Sequence, residues 1–336
     1  MNITIPTKCE LCPRKCGAKR AEGARGFCGA DGTLKVARAA LHEWEEPPIS
    51  ARAGSGTVFF SNCPLRCVYC QNIDISQGGF GLEITTKRLA EIFLELQAQD
   101  AANINLVTAT QYLPWVLPAL EQAREQGLVL PVVWNTSGYE TPETIAALAG
   151  FVDIYLTDFK YGKAPAALAG VPQQYSQLPE AVMEAAQHYS QAPEAAAIRY
   201  SQAPDYFDVA SAALDAMCTQ VGSPTFDDDD IMQRGVIVRH LLLPGQLEES
   251  KAVMEYLWES LGETVLYSVM NQYTPPQHFT DFPELNEKTT DEDYHALLDY
   301  MDALGMDDYF WQEGGAAQES FIPPFDTTGV EKAACT

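Results

Sequence analysis

The strongest constraint on the fold is a series of short apolar runs, rich in β-branched and aromatic residues, that alternates with amphipathic stretches after residue 54. This alternation predicts β-strands joined by helical crossovers, and therefore parallel strands. The six predicted strands are 56–60, 103–107, 130–134, 152–157, 235–244 and 264–270.

Helices are predicted between these strands where apolar residues recur at helical spacing. Thr141 and Pro142 open a short helix, and Thr290 caps a last helix that ends at Gly305. The other predicted helices lie near 86–100, 115–126, 207–220 and 247–261.

Six strand–helix units are fewer than the eight of a closed barrel of about 250 residues. The sequence therefore predicts an α/β fold, a partial, open (β/α)6 barrel. We divide the chain into an N-terminal cysteine-rich module (1–50), the barrel (51–280) and a C-terminal helix and tail (281–336). An insertion is expected near 162–205, which holds three near copies of one phrase: YSQLPE at 175–180, YSQAPE at 189–194 and YSQAPD at 200–205.

The charge balance excludes some classes of partner. The chain has 46 acidic and 21 basic side chains, a net charge of −25, which repels the backbone of a nucleic acid. Apolar runs are too short to span a bilayer, and the N-terminus lacks an apolar signal stretch. We therefore expect a cytoplasmic protein with neither nucleic acid nor membrane as a partner.

Seven of the nine cysteines fall in the first 70 residues, at spacings that indicate metal binding rather than disulfides in a cytoplasmic protein. Cys63, Cys67 and Cys70 directly follow the first predicted strand, so we expect them on a loop at the carboxyl ends of the strands. Three thiolates suit a [4Fe–4S] cluster and leave one iron open. A three-cysteine zinc site that awaits a fourth ligand is the alternative.

A second cysteine group precedes the first. Its four thiolates suffice for a structural zinc site, the reading we favour, or for an auxiliary [4Fe–4S] cluster. The group comprises Cys9, Cys12, Cys16 and Cys28. Six basic side chains surround it, to compensate thiolate charge or to dock an acidic partner: Lys8, Arg14, Lys15, Lys19, Arg20 and Arg25. Two cysteines are isolated. Cys218 is expected on a helix, with its side chain in the hydrophobic core, and Cys335 is expected to have no specific role.

Polar side chains follow the later predicted strands, at the barrel edge where function gathers. Their repeated occurrence after apolar runs favours a site over chance loop polarity. The candidates are Thr108, Thr110, Asn135, Ser137, Asp158, Lys160 and Arg239. His240 is adjacent to Arg239 on its strand and so faces the other way, where we expect it to pack or to form hydrogen bonds.

The cysteine spacing, with the aromatic Tyr69 before the last cysteine, resembles that of the radical S-adenosylmethionine (SAM) superfamily. The segments CELCPRKCG, NTSGYE, YLTDFKY, VRHLLLPG and MNQYTP resemble uncharacterised homologues of pyruvate formate-lyase activating enzyme. The resemblance implies an oxidoreductase in which SAM chelates the open iron through its amino and carboxylate groups. An electron from the reduced cluster then splits the S–C5′ bond, and the resulting 5′-deoxyadenosyl radical abstracts hydrogen from a substrate.

The resemblance also implies contacts with SAM, Tyr69 among them. The family's Gly-Gly-Glu motif is replaced here by Thr108-Ala109-Thr110, so threonine hydroxyls or backbone carbonyls are expected to receive the amino group. Asn135 and Ser137 match positions that contact the ribose or carboxylate. Asp158 and Lys160 resemble the Asp-x-Lys motif of activases. Arg239 either binds the SAM carboxylate or forms a salt bridge with Asp158.

The implied partners are an electron donor of the flavodoxin or ferredoxin type and a glycyl radical enzyme. Another peptide or a small molecule is the alternative substrate. A non-catalytic electron carrier or metal-binding scaffold is the alternative of another class. The polar strand ends argue against that class, because a carrier has no need of them.

Overall fold

The computed structural model describes residues 4–50, 53–163, 196–312 and 323–332. Its strands are β1 (Leu34–His42), β2 (Ser55–Phe60), β3 (Leu82–Ile84), β4 (Ile104–Val107), β5 (Val132–Thr136), β6 (Ile154–Asp158), β7 (Thr225–Phe226), β8 (Met232–Leu241), β9 (Leu266–Met270) and β10 (Phe310–Trp311). Its helices are α1 (Pro47–Ser50), α2 (Ile73–Ser76), α3 (Thr86–Gln97), α4 (Leu113–Glu125), α5 (Pro142–Ala147), α6 (Ala196–Ser201), α7 (Tyr206–Val221), α8 (Leu247–Leu261) and α9 (Asp291–Ala303).

A parallel sheet forms the centre of the molecule. Strands β2, β4, β5, β6, β8 and β9 lie side by side in that order, each parallel to its neighbours. Each of the six predicted runs overlaps one of these strands, and the sheet has two ends rather than closing on itself. The predicted partial, open (β/α)6 arrangement is therefore confirmed. Because the strands are parallel, their carboxyl ends share one edge.

Helices α3, α5 and α9 each begin where a threonine hydroxyl caps the first turn. In α3, Thr85 accepts a hydrogen bond from the backbone N–H of Arg88, and in α9 Thr290 accepts one from Asp293. The backbone of Gly305 is left-handed, with φ of 85°, as predicted for the residue that ends α9.

The sheet is wider than the sequence predicted. Strand β1 pairs antiparallel with β2, with Ala39 opposite Val58, and β3 pairs antiparallel with β1. At the other end, β10 lies parallel to β9. The second part of the cysteine-rich range 1–50 is thus a strand of the main sheet, because pairing with β2 buries Val36, Ala37 and Ala39.

The C-terminal segment 323–332 returns to β1. The backbone N–H of Ala39 donates to the carbonyl of Thr328 at 2.9 Å. Arg88 of α3 holds the same segment, because its guanidinium donates to three successive carbonyls, those of Gly329, Val330 and Glu331. The tail therefore lies against the free edge of β1.

The connection from β1 to β2 covers the amino ends of the parallel strands. Its helix α1 places Ile49 in a fully buried cluster with side chains from the central strands: Val133, Ile154, Leu156, Met232 and Ile237. Glu45 and Glu46 directly precede α1 in the same connection.

The structure describes one copy of the repeated phrase and one of the two isolated cysteines. The first two copies of the repeated phrase and Cys335 lie outside the described residues, whereas the third copy, 200–205, joins α6 to α7. Cys218 of α7 is half-buried and packs against the main core, as predicted. No helix in the described ranges is long and apolar enough to cross a membrane.

Candidate active site

The loop 61–72 follows β2 at the carboxyl edge of the sheet and carries three cysteines. Cys67 is buried, while Cys63 and Cys70 are half-buried. Burial raises the pKa of Cys63 to about 12 and also raises that of Cys70, and the nearby Cys67 adds to both shifts. The sulfurs therefore lie close enough to repel one another as thiolates, and a bound cation such as iron would favour their deprotonation.

The backbone of this loop is fixed by amide side chains from its neighbours. Asn62 and Arg66 adopt left-handed φ values of 69° and 57°. The amide of Gln111, in the short turn after β4, donates to the carbonyl of Asn62 at 3.0 Å. The amide of Gln77 donates to the carbonyl of Cys67 at 2.9 Å. The tight turns thus have specific partners that keep the three sulfurs in place.

Two hydroxyl groups donate to the sulfurs themselves. Ser76 lies 3.3 Å from the sulfur of Cys70, and Ser201 lies 3.1 Å from that of Cys67. The hydroxyl of Tyr161, after β6, is 2.6 Å from that of Ser201. Ser201 belongs to the third copy of the repeated phrase, so this copy contacts the cysteine loop directly. The repetition in the sequence did not indicate that contact.

Tyr69 is held by three other tyrosines. Its ring makes edge-to-face contacts with Tyr161, Tyr200 and Tyr273 at centroid distances of 6.4, 5.9 and 6.3 Å. Such contacts favour one ring orientation. The side chain is only 5% exposed. The ring of Tyr69 therefore has a fixed orientation beside the cysteines.

The polar ends of β5, β6 and β8 form one charged network. Arg239 donates from Nε to Asp158 at 2.9 Å and from Nη2 to the amide oxygen of Asn135 at 2.8 Å. The other carboxylate oxygen of Asp158 accepts from Lys160 at 2.6 Å. Burial opposes the charge of Asp158, yet Arg239 and Lys160 outweigh it and hold the pKa of this carboxyl below its usual range. The structure brings together four predicted site residues.

Two further carboxyl groups reach this network from the connection before α1. Glu45 lies 3.6 Å from Arg239 and its side chain is 8% exposed. Burial raises the pKa values of Glu45 and Glu46, while Arg239 works in the opposite direction on both. These two residues were not predicted as site residues, because two acidic residues before a proline pair resemble an ordinary solvated loop.

Two of the remaining candidates contribute through their backbone, and one through its hydroxyl. Thr108 has a left-handed φ of 57°, and its carbonyl accepts from the amide of Gln111 at 2.8 Å. The carbonyl of Ser137 accepts from the hydroxyl of Tyr206 at 2.7 Å. The hydroxyl of Thr110 donates to a buried carboxylate, that of Glu140. Thr110 therefore lies at the same edge but is already engaged with Glu140.

His240 faces away from this network, as predicted. Its Nδ1 lies 2.7 Å from the carbonyl of Phe159 and its Nε2 lies 2.9 Å from the hydroxyl of Ser250 on α8. Burial lowers its pKa to about 4, so the ring is neutral at pH 7. It links the sheet to α8.

Glu140 is a buried acid that the sequence analysis did not single out, although it ends the quoted segment NTSGYE. It is 1% exposed, and Thr136 donates to it at 2.7 Å. Burial raises its pKa to about 7, against the hydrogen bonds that lower it. The folded chain therefore favours the protonated form of Glu140 more strongly than the unfolded chain does.

We expect Glu140 to make the metal-free chain less stable as pH rises from about 4.5 to about 7. A raised folded pKa contributes stability at low pH that is lost through this window, here about 3 kcal/mol. Urea unfolding of the wild type and Glu140→Gln at several pH values measures the effect: the variant should lose this part of the pH dependence. Glu143→Gln, an exposed change on α5, should keep it. Parallel profiles for wild type and Glu140→Gln would contradict the assignment.

Gly138 allows the chain to turn between Asn135 and Glu140. Its φ is 76°, and an added Cβ would overlap the carbonyl oxygen of Asp158. We expect Gly138→Ala to lower the free energy of unfolding by about 1–3 kcal/mol. Gly150→Ala is the control, since Gly150 has a φ of 79° but no atom within 4 Å of the added Cβ. Equal losses in denaturant titrations of the two variants would rule out a contribution from the clash at Asp158.

The four N-terminal cysteines also lie together. Cys9, Cys12 and Cys28 are buried and Cys16 is half-buried. A hydrogen bond between Cys9 and Cys16 lowers the pKa of Cys16 and raises that of Cys9. Burial raises the pKa values of Cys12 and Cys28, and each of them also experiences the charge of Cys16.

The basic residues around this module divide into two kinds. Lys8, Lys15, Lys19 and Arg25 are exposed, whereas Arg14 and Arg20 are buried. Arg20 is fully buried and donates to the carbonyl of Gln111 at 2.7 Å, and its Nη1 lies 3.9 Å from the sulfur of Cys9. Gln111 also bonds to the backbone of the loop with the other three cysteines. Arg20 and Gln111 therefore connect the two cysteine groups.

The donor sets fit soft metals. Thiolates in groups of three and four are ligands for iron–sulfur clusters and zinc. In the described ranges, no three His, Cys, Asp or Glu side chains converge as they would on a single ion. In a [4Fe–4S] cluster each cysteine binds a different iron, so the three-cysteine loop fits that group by its donors and its buried setting.

Among the comparisons with known proteins, a family model indicates the metal. Residues 52–167 match the family model described as a 4Fe-4S single cluster domain, a range that contains the three-cysteine loop. The chain is 27% identical to the uncharacterized protein MJ0674 of Methanocaldococcus jannaschii over 307 residues, 89% of this chain and 75% of that protein. It is 28% identical to the uncharacterized protein MJ0808 of the same organism over 170 residues, 46% of this chain and 49% of that protein.

A solved structure is also similar, that of Streptococcus suis SuiB bound to precursor peptide SuiA. The superposition has a TM-score of 0.41 at 10% identity and covers 76% of this chain. It spans about half the length of the SuiB chain, 48%. The family match supports a [4Fe–4S] cluster in this chain, with Cys63, Cys67 and Cys70 inside the matched range.

Proposed function

We propose that the chain is a radical SAM enzyme that binds its cluster through Cys63, Cys67 and Cys70. One observation carries the proposal: the cysteines follow the first of six parallel strands, inside the range that matches a 4Fe-4S domain model, and the next strand ends supply a buried charged network. An electron carrier needs the thiolates alone. The network of Asn135, Asp158, Lys160 and Arg239 therefore favours a site for a second, polar ligand.

In this proposal Cys63, Cys67 and Cys70 would hold the cluster, and the cluster with SAM would supply reductive cleavage of the S–C5′ bond for hydrogen abstraction by a 5′-deoxyadenosyl radical. Tyr69 orients SAM, because its ring is held in place by three other tyrosines on one side of the ligand site. Asn135 and Ser137 are proposed to contact the ribose or the carboxylate of SAM. The backbone of Thr108 and Thr110 is proposed to receive the amino group, since the hydroxyl of Thr110 already donates to Glu140.

Lys160 and Asp158 form the cationic and anionic parts of the ligand site. Burial disfavours the charge of Lys160, but Asp158 and Cys67 outweigh it and raise the pKa of the ammonium. Lys160 therefore stays charged beside the cysteines. Arg239 is committed to Asp158 and Asn135, so we assign it the salt bridge rather than a direct bond to the SAM carboxylate. It positions those two side chains.

We further propose an activating enzyme that installs a glycyl radical on a partner protein. The sheet does not close into a full barrel, and an open barrel leaves room for a bulky substrate such as a loop of another protein. Another peptide or a small molecule is the alternative. A flavodoxin or ferredoxin is the proposed electron donor, because the cleavage consumes one electron per SAM.

The test is anaerobic reconstitution with iron and sulfide, followed by reduction and addition of SAM. We expect an EPR signal of a reduced cluster, a change in that signal on addition of SAM, and release of 5′-deoxyadenosine and methionine. An intact, reducible cluster that releases neither product would overturn the proposal. Incubation with a candidate glycyl radical enzyme then separates the two substrates: a glycyl EPR signal supports activation, and its absence despite SAM cleavage points to the alternative.

Metal analysis of the same sample distinguishes the two ligands of the N-terminal cysteines. We propose structural zinc, which would bring the four thiolates closer together than they lie in this structure. It predicts about one zinc and about four irons per chain. About eight irons without zinc would instead establish an auxiliary cluster.

A further inference from the structure

Arg14 joins the N-terminal cysteine group to the loop that carries the other three cysteines. It stands between Cys12 and Cys16 in the sequence and is 5% exposed. Its guanidinium donates hydrogen bonds to carbonyl groups in two segments remote from it. These are the carbonyls of Pro64, Leu65, Ser201 and Gln202.

Both segments border Cys67. Pro64 and Leu65 lie between Cys63 and Cys67, so the guanidinium holds the loop between two of its cysteines. Ser201 donates its hydroxyl to the sulfur of Cys67 at 3.1 Å, and its carbonyl accepts from Arg14 at 2.6 Å. One side chain thus fixes the loop and the group that hydrogen-bonds to its central sulfur.

Two aromatic rings lie beside the guanidinium. Its central carbon lies 4.1 Å from the ring centroid of Phe27 and 5.0 Å from that of Tyr139. A planar group with five donors suits this setting, because it stacks on rings and bonds to several carbonyls at once. Lysine cannot reproduce that arrangement.

The position of Arg14 depends on the fold of the N-terminal module. The backbone of Cys9 closes this part of the chain twice, donating to the carbonyl of Ala18 and accepting from Gly17, both at 3.0 Å. The N–H of Lys15 donates to the carbonyl of Cys12 at 3.0 Å. Metal ligation would hold this turn in place, because the ligands lie on both sides of Arg14 in the sequence. Cys9 and Cys12 precede Arg14, and Cys16 and Cys28 follow it.

We propose that Arg14 is a positioning residue for the loop of Cys63, Cys67 and Cys70, and that metal bound by the N-terminal cysteines stabilises this loop through Arg14. The inference rests on the proposed cluster. The role of the N-terminal module is then to hold the loop of Cys63, Cys67 and Cys70 in the conformation that binds the cluster. Retention of the cluster therefore depends on the second metal.

The test measures how fast reconstituted full-length protein loses iron to a chelator without SAM, together with the midpoint potential of the cluster. We expect Arg14→Ala to lose iron from this loop about tenfold faster or more, since it loses several charged hydrogen bonds. Arg25→Ala is the matched control, an exposed arginine of the same module 3.9 Å from Asp31. It should behave as wild type. A combined Cys63→Ala, Cys67→Ala and Cys70→Ala variant identifies any iron held by the N-terminal group.

Arg14→Lys is the second variant, because it keeps the charge and a folded chain while losing the planar fork. It should also lose iron faster, and wild-type behaviour would overturn the role of the fork. Cys16→Ser should accelerate iron loss as Arg14→Ala does, and the double variant should add nothing further. Independent, multiplicative effects would overturn the coupling. Wild-type protein without a cluster at this loop would instead refute the proposed function, which keeps the two failures distinguishable.

Discussion

Cys67→Ala is expected to abolish SAM cleavage and the EPR signal of the cluster at its loop. Cys67 is the central and most buried of the three cysteines, and it accepts the hydrogen bond from Ser201. Without it only two thiolates remain for a cluster that needs three from this loop. The measurement is 5′-deoxyadenosine release by reconstituted protein, with iron content and EPR of the same sample.

Cys218→Ala is the matched control. Cys218 is also partly buried, but it lies on α7 and packs against the core away from the loop. The variant should retain cluster and product while losing about 1 kcal/mol of stability from one deleted sulfur. SAM cleavage by Cys67→Ala at the wild-type rate would remove the cysteine loop from the reaction and with it the main basis of the proposed function.

Arg239→Met is expected to lower the free energy of unfolding by about 3–5 kcal/mol, because it removes the cation beside Glu45 and one of the two cations that compensate the buried Asp158. Asp158 loses its 2.9 Å ion pair and Glu45 its 3.6 Å neighbour. Denaturant titration of the metal-free chain measures the loss. Adding Asp158→Asn should recover part of it, since one of the two buried acidic groups that lost Arg239 then carries no charge.

Lys332→Met is the control for this prediction. Lys332 pairs with Glu91 at 3.0 Å, but its side chain is 66% exposed, so its removal should cost about 0–1 kcal/mol. Equal losses for Arg239→Met and Lys332→Met would show that the network is as well solvated as a surface pair.

The sequence was sufficient to predict the parallel sheet and the place of the cysteine loop. Runs such as 103–107 and 152–157 are apolar because both faces of a parallel strand are covered, and that pattern is local. The polar residues that end these runs share one edge by topology alone. The ion pair of Arg239 with Asp158 was one of two predicted alternatives, and it follows from their pairing on adjacent strands.

Contacts between distant segments could not be predicted in the same way. Arg14 and Arg20 resembled the exposed basic residues around them, because burial depends on carbonyl groups supplied by residues far along the chain. Glu45 is an acid in a short loop, and its burial depends on Arg239, nearly two hundred residues later. β1 was missed because it pairs antiparallel with β2, outside the strand–helix alternation that predicted the rest.

The outermost strands of the sheet are very short: β3 has three residues and β10 has two. Strand edges with many unpaired backbone groups recruit other chains into aggregates. Here the longer β1 bonds along its outer edge to β3 and to the C-terminal segment at Thr328. Within the described residues, the wide sheet thus offers little backbone on which intermolecular β-structure could grow at the high concentrations that spectroscopy requires.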